Sequence, residues 1–237
     1  MIDTARRILA DARQVVSFSG AGLSAESGVG TFRDAPQGMW SNYDPMRLAS
    51  PEGFAADPGL VIDWYAARRR TVGNAEPNPA HVALAGRLDI VHVTQNVDDL
   101  LHRAGARQVI QLHGRIDADR CHGDCGYAEH VDMTDPPGLR DCPRCNSPLR
   151  PAVVWFGEPL PPDAWDAAEQ ACRECDVLIV IGTSAVVYPA AGLIGVAKAA
   201  GARIIVVNTQ PSEASPLAEV ELLGPAGEIV PQLLART

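Results

Sequence analysis

The chain has 237 residues, a formal net charge of −9, and 46% hydrophobic against 21% charged residues. This balance is typical of a globular protein with an apolar core, and the length fits one large domain that carries a smaller one. The acidic charge disfavours a nucleic-acid partner. Because no apolar signal core opens the chain and no apolar run reaches the roughly 18 residues of a membrane span, we expect a cytoplasmic protein with no membrane partner.

Short apolar runs predict β-strands at residues 14–19, 89–94, 108–112, 153–156, 176–182 and 203–208. Runs such as VLIVI and IIVV are apolar at every position, which is typical of parallel strands covered on both faces. Helical patterns alternate with them at residues 4–12, 164–174, 189–200 and 227–234. The alternation predicts an α/β fold with a Rossmann-like, doubly wound parallel sheet.

Two stretches interrupt this alternation. Residues 31–80 are rich in proline and contain one clear helical pattern at 61–71, and residues 115–150 are polar and hold four cysteines. We therefore expect a Rossmann-like domain, a helical and loop insertion at 31–80, and a small module at 115–150. The Rossmann-like domain would comprise residues 1–30, 81–114 and 151–237. A ligand cleft is expected between the large and the small part.

A glycine-rich turn, Gly20-Ala21-Gly22, follows the first predicted strand. Glycine permits a tight turn and lets backbone amides approach a phosphate. Glycine also ends strands, so the turn alone leaves nucleotide binding open. The third residue after Gly22 is Ala25, so the spacing departs from G-x-G-x-x-G and does not favour a plain dehydrogenase.

Two close cysteine pairs suggest a metal site. Cys121 and Cys125 form C-x3-C, Cys142 and Cys145 form C-x2-C, and sixteen residues separate the pairs. Four thiolates on two turns can hold a structural zinc ion tetrahedrally, whereas disulfides or free thiols are less expected in the cytoplasm. The extra residue in the first pair could let His122 compete for one ligand position.

A third pair, Cys172 and Cys175, ends a predicted helix next to a predicted strand. We interpret these two cysteines as part of the core, with a redox pair as the alternative.

Several motifs together resemble one family. GAGLSAESGVGTFRD at 20–34 closely resembles the signature of the sirtuins, the NAD-dependent protein deacylases. TQNVDDLLHRAG, LHG, VVWFGE, GTS and VNT follow in the family's order, from residue 94 to residue 209. The resemblance covers nearly the whole chain. It implies NAD as co-substrate bound by the Rossmann-like domain, and acylated lysine on proteins or peptides as partner, with the acyl pocket in the insertion at 31–80. It also implies one structural zinc ion in a zinc-binding module at 115–150.

The resemblance also implies which residues bind NAD. They lie in the glycine-rich loop, after the strand at 89–94, and at three later turns. The set is Gly20, Ala21, Gly22, Ser24, Thr31, Phe32, Arg33, Trp40, Gln95, Asn96, Val97, Asp98, Gly182, Thr183, Ser184, Asn208, Thr209, Gln210 and Ala226. Without the family, Asn96 or Asp98 would be read as the cap of a helix, and Arg33 as a solvated charge.

His113 is the general base that the resemblance implies, although nothing local separates it from the other five histidines. An imidazole can take a proton near neutral pH. In the implied reaction the acyl oxygen attacks the nicotinamide ribose and nicotinamide leaves. His113 then deprotonates a ribose hydroxyl, and the products are free lysine, nicotinamide and O-acyl-ADP-ribose.

Tyr65 and Arg68 suggest an acyl preference. Three residues apart on the predicted helix at 61–71, they share one face and could together grip a carboxylate, although three successive arginines are ordinarily a solvated basic run. The pair occupies the insertion as in the sirtuin branch that removes succinyl and malonyl groups, which implies those groups beside acetyl. The resemblance further implies that an extended stretch pairs with the substrate backbone: Val153, Val154, Trp155, Phe156 and Gly157.

Two alternatives remain open. A mono-ADP-ribosyltransferase would use the same NAD chemistry, and a non-catalytic module would bind NAD or acyl-lysine without turnover. We expect a monomer.

Overall fold

The computed structural model describes residues 1–30 and 44–235. Within these residues the strands are β1 (Val15–Ser19), β2 (Ile90–Thr94), β3 (Val109–Gln111), β4 (Gly114–Cys121), β5 (Ala128–His130), β6 (Leu149–Val153), β7 (Val177–Ile181), β8 (Arg203–Asn208) and β9 (Val220–Leu223). The helices are α1 (Ile2–Ala10), α2 (Pro45–Leu48), α3 (Pro51–Ala56), α4 (Pro58–Asn74), α5 (Pro79–Ala85), α6 (Leu100–Arg103), α7 (Pro162–Glu174), α8 (Gly192–Ala199) and α9 (Ala226–Leu234). None of the helices described here has both the length and the apolar character needed to cross a membrane.

Six strands form one sheet in the order β3-β2-β1-β7-β8-β9. Every neighbouring pair is parallel. The chain thus builds one half of the sheet outward from β1, returns to the centre, and builds the other half from β7. This is the doubly wound Rossmann order, and it confirms the predicted fold class. The order reverses between β1 and β7, where such sheets bind their ligands.

The sheet is buried on both faces, which explains the uninterrupted apolar runs. In β7, Val177, Ile179 and Ile181 join a cluster with α1, α5 and α9. Leu178 and Val180 join the opposite cluster with α7 and α8. Since successive side chains of a strand point to opposite faces, each position of β7 meets a helix layer.

A second, antiparallel sheet has the order β5-β4-β6 and carries the cysteine loops. The predicted strand at 153–156 is wrong except at Val153, because β6 ends there. The strand contains the buried Arg150 and also Pro151, which conceal it in the sequence. Proline is tolerated since β6 is an edge strand of this sheet.

Several helices differ from their predicted bounds or were not predicted. Helix α4 begins at Pro58, three residues before the prediction, and the Asp57 carboxylate caps it by accepting the Leu60 N–H at 3.0 Å. The short helices α2, α3 and α5 also begin with a capping side chain followed by proline, at Asp44, Ser50 and Asn78. A capping residue before proline is a recognised helix start, so this signal could have located all three.

The helices α2 to α4 pack against the start of the small sheet through a third apolar cluster that includes Phe54, Tyr65, Ile116 and Trp155. Beside it, the buried Arg69 of α4 donates to the carbonyls of Ile116 and Ala118 at 2.8 and 3.0 Å. Arg69 also pairs with Asp119 at 2.6 Å. These contacts attach the helical insertion to the strand that leads to the cysteines.

We expect Gly22→Ala to lower the free energy of unfolding by about 1–3 kcal/mol, the usual cost of overpacking. A Cβ at Gly22 would lie 2.6 Å from the Gly182 Cα. In contrast, Gly195→Ala in α8 meets nothing within 4 Å, and it should stabilise the protein by about 0.5–1 kcal/mol. Urea denaturation of both variants measures the difference. Equal stability of the two variants would contradict the close packing of these loops.

Candidate active site

The glycine-rich turn meets the loop after β7 where the sheet order reverses. The Gly22 N–H donates to the Gly182 carbonyl at 2.8 Å, and the Gly20 N–H donates to the Ile181 carbonyl at 3.0 Å. Gly182 has φ of +57°, a conformation that glycine adopts without strain. The two glycine loops thus lie at the crevice beyond the strands, where sheets of this order bind a dinucleotide pyrophosphate.

Ser24 is the centre of a buried hydrogen-bond network. The Asn78 N–H lies 3.3 Å from His81 Nδ1, which makes that nitrogen an acceptor and places the ring proton on Nε2. Nε2 lies 3.4 Å from Ser24 Oγ, and the Asn96 side-chain amide donates to the same oxygen at 3.1 Å. Ser24 therefore has its own proton left to donate, and it does so to Asp98 Oδ2 at 2.9 Å.

The charge states in this network follow from burial. Burial lowers the pKa of His81 to about 4, so the ring is neutral. Burial raises the pKa of Asp98, while hydrogen bonds from the Ser24 hydroxyl and the Leu100 backbone oppose that rise. Since both donors favour the ionised form, Asp98 is presented as a hydrogen-bond acceptor.

His113 lies in the turn between β3 and β4, with its ring oriented by the backbone. Its Nδ1–H donates to the Gln95 carbonyl at 2.9 Å, which leaves the Nε2 lone pair available. Burial lowers the pKa of His113 below its usual value of 6.5, although the Gln95 hydrogen bond opposes the change. The ring is consequently neutral at physiological pH, the state that a general base requires.

The ends of β7 and β8 are linked at the other side of the crevice. The Gln95 side chain donates to Thr183 Oγ1 at 3.0 Å, and Asn208 donates to the Thr183 carbonyl at 3.0 Å. The Gly224 N–H donates to the Asn208 carbonyl at 2.9 Å. At the start of α9, the Gly227 N–H donates to Glu26 at 2.6 Å. The turn preceding this helix is thereby tied to the glycine-rich segment.

The structure brings most of the predicted NAD-binding residues to one edge of the sheet, because they follow β1, β2, β7 and β8 or begin α9. They are Gly20, Ala21, Gly22, Ser24, Gln95, Asn96, Val97, Asp98, Gly182, Thr183, Ser184, Asn208, Thr209, Gln210 and Ala226. Thr31, Phe32, Arg33 and Trp40 lie outside the described residues.

Tyr65 and Arg68 lie on α4, as the helical spacing predicts. Tyr65 is buried and its hydroxyl accepts the Trp155 indole N–H at 3.0 Å. Arg68 is partly buried, with Cζ 5.5 Å from the centroid of the Trp64 ring. Burial lowers the pKa of Arg68, and attraction to Tyr65 and Asp98 opposes that change. The guanidinium group is thus close enough to the Asp98 carboxylate for the two charges to attract.

The predicted substrate-binding stretch begins at Val153, the last residue of β6, and is not extended throughout, because Phe156 and Gly157 form a turn in which the Glu158 N–H donates to the Trp155 carbonyl at 3.0 Å. The Val154 N–H donates to the His113 carbonyl at 2.9 Å, and the Phe156 N–H donates to the Ala49 carbonyl at 2.8 Å. Trp155 is buried, Phe156 is 46% exposed, and Gly157 has φ of +87°. The segment is therefore anchored to the His113 turn, with Phe156 directed to solvent.

The four predicted zinc ligands, Cys121, Cys125, Cys142 and Cys145, form a cluster whose sulfur atoms all lie within 4.8 Å of one another. Two of the separations are 3.3 Å and 3.5 Å. Sulfurs at about 2.3 Å from a tetrahedral zinc ion would be about 3.8 Å apart, so the cluster fits this ion. A complete set of four thiolates leaves no open position for catalysis, and a zinc ion here would be structural.

The other candidates for metal or redox chemistry are accounted for elsewhere. The ring of His122 packs against Phe54 of α3, with centroids 5.0 Å apart, so it does not join the four cysteines. Cys172 and Cys175 are buried in the core, and burial raises their pKa values to about 12 and about 11. As protonated thiols they are poor ligands and poor nucleophiles.

Two pairs in the site were not predicted from sequence. Asn78 and His81 orient Ser24, and an asparagine before proline at 78–79 was the available signal for a helix start beside the site. Arg150 and Glu158 form an ion pair beneath the substrate stretch. No local pattern identifies this second pair, because two opposite charges eight residues apart are common at surfaces.

The glycine loops lie where the strand order of a parallel sheet reverses, as in dinucleotide-binding enzymes. Beside them lie the pair Asn96 and Asp98 and the neutral His113, which are the side chains of an enzyme site. The profile of the Sir2 family matches residues 20–189. The chain belongs to this family.

Close relatives support the assignment over nearly the full length. NAD-dependent protein deacylase 2 of Pyrobaculum aerophilum is 49% identical over 233 residues, which cover 96% of this chain and 92% of that protein. The solved complex of a Sir2 homolog with NAD is 45% identical, with a TM-score of 0.92, and covers 98% of this chain and 92% of that one. Sir2Af2 bound to a myristoylated histone peptide is 36% identical, with a TM-score of 0.79, over 98% and 94% of the two chains.

We expect the protein to lose stability as the pH falls from about 7 to about 5. Burial lowers the pKa values of His81 and His92 to about 4, so the unfolded chain takes up protons first, from about pH 6.5 downward. The loss should be about 2 kcal/mol per histidine over this range. Urea denaturation at each pH measures it.

The matched controls are His81→Gln and His102→Gln. The first should flatten the pH dependence of stability, whereas the second, at an exposed position, should leave it unchanged. Equal slopes for the two variants would contradict a neutral His81.

We expect Cys142→Ser to lose zinc and Cys172→Ser to retain one zinc ion per chain. Cys142 belongs to the four-cysteine cluster, and Cys172 lies in the core between α7 and the sheet. Metal analysis by plasma emission after gel filtration measures the content. Zinc lost from Cys172→Ser but kept in Cys142→Ser would reverse the assignment.

Proposed function

We propose that this NAD-dependent protein deacylase removes succinyl and malonyl groups, beside acetyl groups, from lysine side chains of proteins or peptides. The observation that carries the proposal is the pair Tyr65 and Arg68 on one face of α4, with Arg68 close enough to Asp98 for the two charges to attract. A carboxylate at the end of the acyl chain would receive a hydrogen bond from the hydroxyl and two from the guanidinium group.

The burial of these two groups favours an acidic tail over an apolar one. Attraction between Arg68 and a carboxylate is stronger where water is excluded. An acetyl or longer apolar tail would leave the guanidinium group with less compensation for its lost hydration, which costs about 1–3 kcal/mol per unpaired polar group. The pair therefore supports selectivity for acidic acyl groups as well as affinity.

The remaining residues have distinct roles in the proposed reaction. Asn96 and Asp98 are suited to hold the nicotinamide carboxamide, because an amide and a carboxylate match its acceptor and its donors. His113 accepts a proton at Nε2 from a ribose hydroxyl. Residues 153–157 would pair with the substrate backbone as an added strand.

The relatives support a peptide partner. One deacylase relative is named for protein substrates, and the solved Sir2Af2 complex holds an acylated histone peptide. Both folds match this chain over nearly its entire length, which supports NAD and an acylated peptide as the ligands of the crevice.

We expect Arg68→Met to lower kcat/KM for a succinyl-lysine peptide by about 100-fold, as for a lost charged hydrogen-bond pair. The effect on the acetyl peptide should be much smaller because that tail carries no carboxylate. Arg70→Met is the matched control, since Arg70 is exposed on the same helix. It should leave both activities unchanged.

Measuring succinyl, malonyl, acetyl and myristoyl peptides with wild type and both variants separates the outcomes. Succinyl activity that survives Arg68→Met excludes the acidic-acyl proposal. A wild type that prefers the myristoyl peptide would assign the pocket to long apolar tails instead.

We expect His113→Ala to reduce formation of O-acyl-ADP-ribose by about 10²–10⁴-fold, the usual contribution of a general base. In wild type, kcat/KM should decline only below about pH 6.5, because burial lowers the pKa of His113. Exposed His102→Ala is the control. Mass spectrometry of the ADP-ribose product identifies its acceptor, and ADP-ribose found on protein would support a mono-ADP-ribosyltransferase.

A further inference from the structure

Trp155 makes a buried polar contact with Tyr65 in the helical insertion. Its indole Nε1–H lies 3.0 Å from the Tyr65 hydroxyl oxygen. Both side chains are at most 4% exposed, and their ring centroids lie 6.5 Å apart. The contact joins the substrate-binding stretch to α4, which bears Arg68.

The direction of this hydrogen bond is determined by chemistry. The tryptophan indole can only donate, so the Tyr65 oxygen is the acceptor. A phenol oxygen that accepts on one side must point its own proton elsewhere. Within residues 1–30 and 44–235, no acceptor is found for that proton. Among these described residues, the Tyr65 hydroxyl is therefore a donor that no acceptor engages.

Trp155 itself is held rigidly from several sides. The Arg150 guanidinium carbon lies 4.0 Å from the centroid of the indole ring, and the Phe54 ring centroid lies 5.3 Å away. The Trp155 backbone N–H donates to Glu158 at 2.9 Å, and Glu158 pairs with Arg150. A ring fixed by stacking and by its backbone can hold a partner in one orientation.

We propose that Trp155 is a positioning residue for acyl selectivity, which keeps the Tyr65 hydroxyl oriented as a hydrogen-bond donor to the acidic end of the acyl chain. The inference rests on the proposed function, which assigns the tail to Tyr65 and Arg68, and it adds the residue that determines how Tyr65 takes part. Without the indole N–H, the hydroxyl would be free to rotate and to accept.

Burial supports the donor role. It raises the pKa of Tyr65 to about 12, so the hydroxyl retains its proton at any pH where the enzyme works. An acyl tail without an acceptor cannot form a hydrogen bond with this donor, whereas a tail that ends in a carboxylate can. The hydrogen bond between Trp155 and Tyr65 therefore affects which acyl tails the enzyme prefers.

The test compares two tails of matched shape on one lysine peptide. The succinyl tail ends in a carboxylate, and the 4-methylpentanoyl tail ends in an isopropyl group. We expect Trp155→Phe to lower the succinyl to 4-methylpentanoyl ratio of kcat/KM by about tenfold, as for one charged hydrogen bond. The change should appear mainly in KM, because the tail lies away from the reacting carbonyl.

A double-mutant comparison shows whether Trp155 acts through Tyr65. Tyr65→Phe should lower the ratio by itself, and adding Trp155→Phe should lower it no further. If Trp155→Phe does not fold by circular dichroism, a benzothiophene side chain at position 155 removes the N–H and keeps the bicyclic shape. The same ratio is then measured with that variant.

The outcomes distinguish this inference from the proposed function. A wild type with no preference for succinyl overturns both. A wild-type preference that survives loss of the Trp155 N–H overturns only the positioning role. A further decrease of the ratio in the Tyr65→Phe background also overturns it, because Trp155 would then act by another route.

Discussion

The close approach of two glycine backbones, where β1 and β7 end, is the constraint on which the site depends. Side-chain atoms are excluded between Gly22 and Gly182, since a Cβ on either would lie within 2.7 Å of the other's backbone. The two loops can therefore contact each other directly through their backbones. Because neighbouring parallel strands end at the same edge, the residues after β2 and β8 arrive at the same crevice.

A second requirement is that the buried polar groups near this crevice form hydrogen bonds with one another. Ser24 can take only one arrangement of protons, because Asn78 makes His81 a donor and Asn96 adds another. The ordered network presents Asp98 as an acceptor without help from solvent. Polar chains of this kind specify geometry more than they add stability, since an unmade bond inside the protein is costly.

The insertion and the cysteine module act as one support for the substrate side of the site. Arg69 joins α4 to the strand that ends at Cys121, through two carbonyls and Asp119. A metal ion held by the four cysteines would stabilise that strand, and with it the helix that bears Tyr65 and Arg68. One buried guanidinium group, that of Arg69, thus connects the strand that ends at Cys121 to the helix that carries Tyr65 and Arg68.

Local sequence patterns predicted the doubly wound sheet and the cluster of four cysteines, and the family resemblance located the turns that lie at the crevice. Apolar runs and paired cysteines are local patterns, so they can be recognised without coordinates. The sequence did not locate β6, because Arg150 and Pro151 interrupt the apolar pattern of that strand. It also did not single out His81. Two contacts follow from the folded chain alone, the one between His81 and Ser24 and the one from Trp155 to Tyr65. These contacts join residues 57 and 90 positions apart, and no local pattern encodes which distant side chains meet.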